Sequence, residues 1–513
     1  MPPSPKNPIN TNPNRGDWSV ANLSFLAVLT AFAFVIMGYH AGLEDDAFYL
    51  AAIKRNLNPA LFPHDADFFR VQFQATIFDK LIAASIRLTH LPAAWVVMFW
   101  QLAAIFFILH GCWRIARRCF VEPAAQWAAV SLIAALLTLP VSGTAINLAD
   151  QYLHPRALAT ALILAAVVAV LERRVWLAVL LLIMGFSIHA IMAAFGISFC
   201  AFLVWHRRPM QLRASSAAAA FLFPLGWVFE PASDAWRKAA STRGFYYISH
   251  WAWYEWLGVL APLALLFLFQ RAVRRRRLSM AGGPALVPLV SSLLYYGVFQ
   301  TVVGVAIMLP ASLERLRPLE PMRYLHLLYL LFFLLAGGLL GQYVLGRHSY
   351  RWALLFLPLS AGMWYAQLQM CPASAHMEWP GATPQNSWLQ AFDWIRKNTP
   401  LDALFALDPH YMQIPGEDYH GFRALAERSV LADYDKDGGM AARVPRLAPR
   451  WLREVTAESG WRDFGAEDFG RLKNEFGVNW IILSREDKLF SQTQSESMTC
   501  PYENQQVRVC RLY

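Results

Sequence analysis

The chain has 513 residues, of which 57% are hydrophobic, 14% aromatic and 16% charged, and its formal net charge is +10. Soluble domains carry about 25% charged residues, so the low charged fraction indicates a membrane protein. The positive charge does not indicate a nucleic-acid partner, because the arginines stand in short blocks between apolar runs, as in cytoplasmic loops of multispanning proteins. We therefore expect a lipid bilayer as a partner and no nucleic acid.

The N-terminal residues 1–19 are rich in Pro and Asn and lack apolar periodicity, which predicts a disordered cytoplasmic tail. The apolar run that follows, over residues 20–37, is as long as a membrane span. The stretch before this run is long, and no small-residue cleavage site is evident, so we predict an uncleaved first helix rather than a signal peptide.

Runs of about 20 mostly apolar residues predict further spans. They indicate an α-helical, multispanning transmembrane domain over residues 20–369, with about eleven helices. A long first outer loop covers residues 39–91. The predicted spans are 20–38, 92–112, 124–141, 156–171, 174–189, 190–206, 214–229, 256–271, 284–308, 323–345 and 352–369.

Blocks of arginine follow every second predicted span. They contain Arg114, Arg117 and Arg118, then Arg173 and Arg174, then Arg207, Arg208 and Arg213, then Arg271 and Arg274 to Arg277, then Arg347 and Arg351. The positive-inside rule then predicts a cytoplasmic N-terminus. An odd number of spans predicts an outside C-terminal region. We expect a multi-pass protein of the cytoplasmic (inner) membrane with a periplasmic or otherwise extracytoplasmic C-terminal domain.

The composition changes from residue 370 onward, where charged residues, Pro and Gly increase and no run is long enough to span. Helical spacing over 387–398 is followed by a short strand at 403–407. A second helix at 469–476 precedes a buried strand at 479–483. This alternation predicts a small soluble α/β domain over residues 370–513.

Two cysteines of this domain, Cys500 and Cys510, flank a turn-like segment that continues into an alternating strand. A disulfide across the hairpin is one alternative in an oxidising compartment, and two free thiols are the other. No Cys/His spacing in the sequence resembles a zinc site.

The stretch GLEDDAFYL, residues 42–50, follows the first span directly and contains three consecutive acids. Helical spacing after the acids, and Lys54 and Arg55 late in the segment, predict a short helix whose dipole suits these charges. In that interpretation Glu44 is an ordinary helix cap. The helix-cap interpretation does not explain why two adjacent carboxylates stand at the membrane boundary beside the aromatic Tyr49.

This acidic pair followed by an aromatic residue resembles the pattern of the GT-C class of integral-membrane glycosyltransferases, in a bacterial branch of that class. Asp45 and Asp46 match the acidic pair, and Phe48 or Tyr49 matches the aromatic residue. The layout of many spans, a long first outer loop and a C-terminal soluble domain is similar too. The opening of that domain, DWIRKNTPLDALFALDP, also resembles the opening of the soluble domains of this class.

The resemblance implies a sugar donor linked to polyprenyl phosphate and an acceptor that arrives at the outer face of the cytoplasmic membrane. Asp45 or Asp46 is then the catalytic carboxylate, with Tyr49 contributing to substrate binding. The carboxylate takes the proton of the acceptor hydroxyl or helps to hold Mg²⁺ or Mn²⁺ on the donor phosphate. Members of the class with and without a metal exist, so the cofactor stays open.

Three further candidates for substrate binding stand close together in the loop after the third span. Asp150 and His154 are four residues apart and share a face if the segment is helical. Arg156 stands where the next span enters the membrane, where it either holds a lipid phosphate or snorkels to the headgroups as an anchor. Arg323, at another span entrance, either binds the donor phosphate or takes part in pairing within its loop, with Glu314 and Glu320.

The C-terminal domain adds a dense polar segment with a Gly-rich end, in which we name His420 and Arg423 as candidate substrate-binding residues. The segment contains Asp418, His420, Arg423, Arg428, Asp433 and Lys436. It either completes the site or carries ordinary surface charges. In the first outer loop, His64, Asp65 and Asp67 either shape the acceptor cleft or, as we favour, are solvated loop residues.

The sequence therefore favours an enzyme, a glycosyltransferase that depends on a lipid-linked sugar. The alternative is a non-catalytic membrane protein with the same architecture, either a transporter or an assembly partner. Transport predicts charged residues at mid-membrane, whereas the charges here stand at span ends and in outer loops.

Overall fold

The computed structural model describes residues 18–69, 75–207, 231–274, 282–414, 417–491 and 498–513. The N-terminal part of the chain forms helices α1 (Val20–Met37), α2 (Asp46–Leu57), α3 (Phe78–Thr89), α4 (Ala93–Cys119), α5 (Pro123–Ala135), α6 (Pro155–Leu171), α7 (Val175–Ile188), α8 (Ala190–Arg207), α9 (Asp234–Ser241), α10 (Trp253–Arg274), α11 (Leu286–Met308), α12 (Tyr324–Leu340) and α13 (Ser349–Met370). Two short strands, β1 (Pro140–Val141) and β2 (Ile146–Asn147), form a hairpin between α5 and α6.

Within the described residues, five helical segments are long and apolar enough to cross a membrane, as expected for a multi-pass membrane protein. They are Val20–Met37, Ala93–Cys119, Trp253–Val273, Leu286–Met308 and Pro321–Leu345. Shorter apolar helices, α5 to α8, stand where the sequence predicts four of the other spans. The predicted span at 214–229 and almost all of the predicted N-terminal tail lie outside the described residues.

Small residues let the helices of the bundle approach closely. A Cβ atom on Gly337 of α12 would lie 2.8 Å from the carbonyl oxygen of Ala128 on α5. One on Gly341, a turn later, would lie 2.6 Å from that of Ala124. Van der Waals packing through small residues is the usual source of helix association in lipid, where water supplies no driving force.

The C-terminal region forms an α/β domain, as the sequence predicts. Its helices are α14 (Ser387–Asn398), α15 (Phe422–Ala426), α16 (Lys436–Arg443), α17 (Ala448–Ala457) and α18 (Ala466–Phe476). Its strands are β3 (Leu404–Ala406), β4 (Ser429–Val430), β5 (Trp480–Ser484), β6 (Met498–Glu503) and β7 (Val507–Leu512). The sheet order is β4-β3-β5-β7-β6, with β3 parallel to β4 and β5, and β7 antiparallel to β5 and β6.

The helices and strands predicted in this domain are present because their apolar faces are buried on the sheet. Trp388, Phe392 and Ile395 of α14 pack with Phe405 of β3 in one core cluster. Cys500 and Cys510 are disulfide-bonded across the β6–β7 hairpin, which confirms the bonded alternative.

The first outer loop carries helices α2 and α3 and is joined to the C-terminal domain by backbone hydrogen bonds. Gly421 donates its N–H to the carbonyl of Gly42 at 2.8 Å, and Glu44 donates to that of Tyr419 at 2.8 Å. A Cβ on Gly421 would collide with Ala47 of α2, so only glycine permits this approach. The C-terminal domain thus holds the loop that carries the acidic residues.

Three local expectations about the loops are wrong. Glu44 does not cap α2: the N-cap position belongs to Asp45, whose side chain makes no capping hydrogen bond, and the Glu44 carboxylate binds Lys436. Asp65 is not solvated but fully buried against Arg423. Asp150 does not share a helical face with His154, because α6 begins only at Pro155.

Candidate functional site

A cavity of about 1060 Å³ lies between the apolar helices and the C-terminal domain. The first outer loop, the β1–β2 region, the segment before α10, the start of α12 and helix α16 all contribute to its wall. Five of the candidate residues line this cavity: Asp45, Tyr49, Asp150, Arg156 and Arg323. The tertiary structure therefore brings together residues that the sequence spreads over almost 280 positions.

Asp45 presents its carboxylate to the cavity with a side-chain exposure of 30%. One oxygen, Oδ1, accepts a hydrogen bond from Lys436 Nζ at 3.0 Å, and the other lies 3.8 Å from His154 Nε2. Burial alone raises the pKa of Asp45, but Lys436 and then His154 outweigh it and hold that pKa well below its usual range. Asp45 is therefore a carboxylate at neutral pH.

Asp46, the second acid of the pair, points away from the cavity and is only 1% exposed. Its Oδ2 accepts a hydrogen bond from the backbone N–H of Gly42 at 2.7 Å. Burial raises the pKa of Asp46 to about 7, although this hydrogen bond opposes the shift. The geometry thus gives the two adjacent carboxylates different surroundings: Asp45 faces the cavity, and Asp46 ties the loop to the start of α2.

His154 connects Asp45 to the aromatic wall of the site. Its Nδ1 accepts the backbone N–H of Arg156 at 2.9 Å, so the neutral ring carries its proton on Nε2, the nitrogen nearest Asp45. Burial and the charge of Arg156 lower the pKa of His154, which favours this neutral form. The ring of Tyr49 packs edge-on against His154, with centroids 4.7 Å apart. Tyr49 therefore holds the group that faces the carboxylate.

Arg156, the second residue of α6, is oriented by Asp150. Its Nη2 donates to both carboxylate oxygens of Asp150 at 2.7 Å. The Nε and Nη1 atoms of Arg156 are buried and have no hydrogen-bond partner among the described residues. Buried guanidinium N–H groups without a partner are uncommon and call for a ligand or water. Arg156 can therefore accept an anion without releasing Asp150.

A second basic wall is built around one buried acid, Glu320. Arg323 Nη1 lies 2.6 Å from Glu320 Oε2, and Arg443 Nη2 donates to Glu320 Oε1 at 2.8 Å. Burial raises the pKa of Glu320, but Arg323 and then Arg443 outweigh it and lower that pKa. Two guanidinium groups thus share one carboxylate, which leaves a local excess of positive charge at this side of the cavity.

The sequence does not single out three cationic residues that line the cavity, Arg243 and, on α16, Lys436 and Arg443. Lys436 belongs to the dense polar segment named above, but Arg243 and Arg443 stand outside every candidate motif. Lys436, Gly439, Met440 and Arg443 all line the cavity, and their spacing of three, four and seven residues marks one helical face. This helical periodicity is the feature of the Gly-rich segment by which the sequence indicates the cavity-lining face of α16.

Like His154, the candidates His420 and Arg423 do not line the cavity. The buried guanidinium of Arg423 binds Asp65 and donates to Asp437 Oδ2 at 2.8 Å. His420 lies beside Glu378, with Nε2 3.2 Å from Oε2. Arg423 thereby joins the C-terminal domain to the first outer loop, whereas the contact between His420 and Glu378 lies within residues 370–513.

Residues 386–442 match DUF6798, which is described as a domain of unknown function. The matched segment runs from the N-cap of α14 almost to the end of α16, and it includes Lys436. No curated protein matches the chain.

Proposed function

We propose that this chain is an integral-membrane glycosyltransferase of GT-C-like architecture. It transfers a sugar from a polyprenyl-phosphate-linked donor to an acceptor on the outer face of the cytoplasmic membrane. The observation that carries the proposal is one cavity, between apolar helices and a soluble domain, that is lined by both Asp45 and Arg156. In this proposal the bundle has about eleven spans, the N-terminus is cytoplasmic and the C-terminal domain is extracytoplasmic.

The donor phosphate binds to the guanidinium groups of the cavity, while its polyprenyl chain stays among the apolar helices. Arg156 supplies N–H groups that have no partner among the described residues. Arg323 and Arg443 supply the positive charge around Glu320. Guanidinium groups suit this role because their planar N–H pairs match phosphate oxygens.

Asp45 acts as the general base. Its carboxylate accepts the proton of the acceptor hydroxyl while that oxygen attacks the anomeric carbon of the donor sugar. The bond between this carbon and the donor phosphate oxygen breaks, and the phosphate leaves with the bonding electrons, stabilised by the arginines. Lys436 orients Asp45 beforehand through its hydrogen bond to Oδ1, and His154 faces the other oxygen.

The residues do not fit a divalent ion shared by Asp45 and Asp46. The two carboxylates face different surroundings, and the ammonium group of Lys436 already stands where a cation would neutralise Asp45. The proposed mechanism therefore assigns the charge-neutralising role to Lys436 and the arginines, rather than to Mg²⁺ or Mn²⁺.

Replacing Arg443 tests the phosphate site. We expect Arg443→Ala to weaken the binding of polyprenyl monophosphate to the protein in lipid nanodiscs by about tenfold, since a charge-assisted hydrogen bond contributes about 1.5–3 kcal/mol. Glu320 keeps Arg323 as its partner, so the fold is retained. The matched control is Arg446→Ala, an exposed arginine outside the cavity. Equal affinity of wild type and both variants would contradict the phosphate assignment.

Replacing Lys436 tests the electrostatic state of the base. Lys436 lowers the pKa of Asp45, so Lys436→Met raises it towards the usual range. Because the ionised carboxylate is the active form, sugar transfer should be lost at a higher pH than in wild type on the acid side of the profile. The measurement is initial rate against pH, with the exposed Lys397→Met as the control. If the acid limb of the pH–rate profile did not shift, Asp45 would not be the titrating base.

A further inference from the structure

Outside the cavity, three side chains that can hold a metal ion converge at the junction between the bundle and the C-terminal domain. His40 follows α1, Glu378 follows α13, and His420 precedes α15. One ligand atom from each residue lies within 4.8 Å of the others. None of the three residues lines the cavity described above, so this cluster is separate from the proposed transferase site.

The two separations that involve Glu378 suit a tetrahedral ion. Ligand atoms about 2.1 Å from zinc in tetrahedral geometry lie about 3.4 Å apart. Glu378 Oε2 lies 3.2 Å from His420 Nε2 and 3.6 Å from His40 Nδ1. Both values are close to that tetrahedral separation, and one carboxylate oxygen stands between two imidazole nitrogens.

Both histidines of the cluster are buried, and the Glu378 side chain is 18% exposed. The His40 side chain is fully buried, and neither of its ring nitrogens has a hydrogen-bond partner among the described residues. Glu378 Oε1 and His420 Nδ1 are also buried without a partner there. Of these atoms, His40 Nδ1 faces Glu378 Oε2 at 3.6 Å, and leaving it buried without a partner costs free energy that a coordinated ion would recover.

We propose that His40, Glu378 and His420 form a binding site for one divalent transition-metal ion of the Zn²⁺ type. Two imidazoles and one carboxylate are a donor set that suits zinc, whereas Mg²⁺ and Ca²⁺ favour oxygen ligands alone. Three protein ligands leave one coordination position for a solvent molecule.

The ion bridges segments that the backbone already brings together. Tyr39 donates its N–H to the carbonyl of His376 at 3.1 Å, and Glu378 donates to that of Tyr39 at 2.9 Å. Leu43 and His420 form an isolated antiparallel bridge on the other side. The metal therefore fastens the loop that leads to Asp45 onto the C-terminal domain, which is a positioning role.

Metal content tests the site directly. The untagged protein, purified in lipid nanodiscs, is stripped with a chelator, equilibrated with one equivalent of Zn²⁺ and freed of unbound metal before elemental analysis. We expect about one zinc per chain in the wild type, and at least a tenfold loss in His40→Ala and in the near-isosteric Glu378→Gln. The control is His410→Ala, an exposed histidine of the same domain, which should retain the wild-type content.

Thermal unfolding gives a second readout, one that does not depend on whether the variants express well. Zinc binds the folded state, so adding it to stripped wild-type protein should raise the Tm by at least about 2 °C. The same addition should leave the Tm of Glu378→Gln unchanged. Wild type that retains no zinc, or a Glu378→Gln variant with the wild-type zinc content, overturns the proposal. Neither readout involves sugar transfer, so the proposed metal site can be refuted without refuting the proposed glycosyltransferase function.

Discussion

Asp45→Asn is expected to reduce sugar transfer by about 10²- to 10⁴-fold, the range that a positioned general base contributes. Asparagine keeps the size of the side chain but cannot take the proton of the acceptor hydroxyl. Asp46→Asn should retain most of the activity, because Asp46 points away from the cavity and an amide oxygen can still accept the N–H of Gly42. The measurement is transfer by purified protein in lipid from a panel of polyprenyl-phosphate sugars.

The two variants form a matched pair, since the residues are adjacent and carry the same substitution. Asp393→Asn replaces a partly exposed acid of α14 and serves as the control that should leave sugar transfer unchanged. If Asp45→Asn were as active as wild type with a donor that the wild type consumes, Asp45 would lose its role. A wild-type protein that turns over no donor of the panel would favour the non-catalytic alternative, a transporter or an assembly partner.

Arg423→Ala is expected to lower the free energy of unfolding by about 3–5 kcal/mol, the largest stability effect among these predictions. The guanidinium binds the buried acids Asp65 and Asp437 and donates to the carbonyl of Val430 at 3.2 Å. Removing it leaves Asp65 and Asp437, both fully buried, without the guanidinium that pairs with them. The loss should appear as a lower Tm in nanodiscs and as faster proteolysis around the first outer loop.

A surface ion pair provides the control for this prediction. Arg396→Ala removes a partly exposed arginine that pairs with Asp393 on the same helix, and such pairs contribute about 0–1 kcal/mol. The double variant Arg423→Ala/Asp65→Asn should recover part of the loss, because it removes one of the stranded charges. If Arg423→Ala had the same Tm as Arg396→Ala, the structural role of Arg423 would be refuted. Its alternative role in substrate binding would then have to be tested.

The elements that could be predicted from sequence are those whose signal is local. Helix α14 and strand β5 follow from helical spacing and from a short buried apolar run. The Cys500–Cys510 disulfide follows from two cysteines that flank a turn. In each case the residues that decide the structure lie within one turn or one hairpin, so no distant contact is needed to recognise them.

The candidate site could be predicted only in part, because its geometry depends on contacts between distant segments. Adjacent residues on a helix point about 100° apart, so the sequence cannot say which of Asp45 and Asp46 faces a cavity. That choice depends on the backbone of Gly42 and on Lys436, which lies more than 390 positions further along the chain. The sequence likewise cannot show that Arg423 is a buried ion-pair residue rather than a substrate-binding one, since its partner Asp65 belongs to the first outer loop.

By itself, the sequence determined that the chain crosses a membrane several times and ends in an α/β domain, since hydropathy and short-range periodicity carry that information. Only the tertiary structure decided which charged residues share a cavity and which are buried partners. It placed Lys436 beside Asp45, Arg443 in the wall of the same cavity, and His420 beside His40. The physical reason is that a buried charge takes its role from the groups that surround it, and these come from segments hundreds of residues apart.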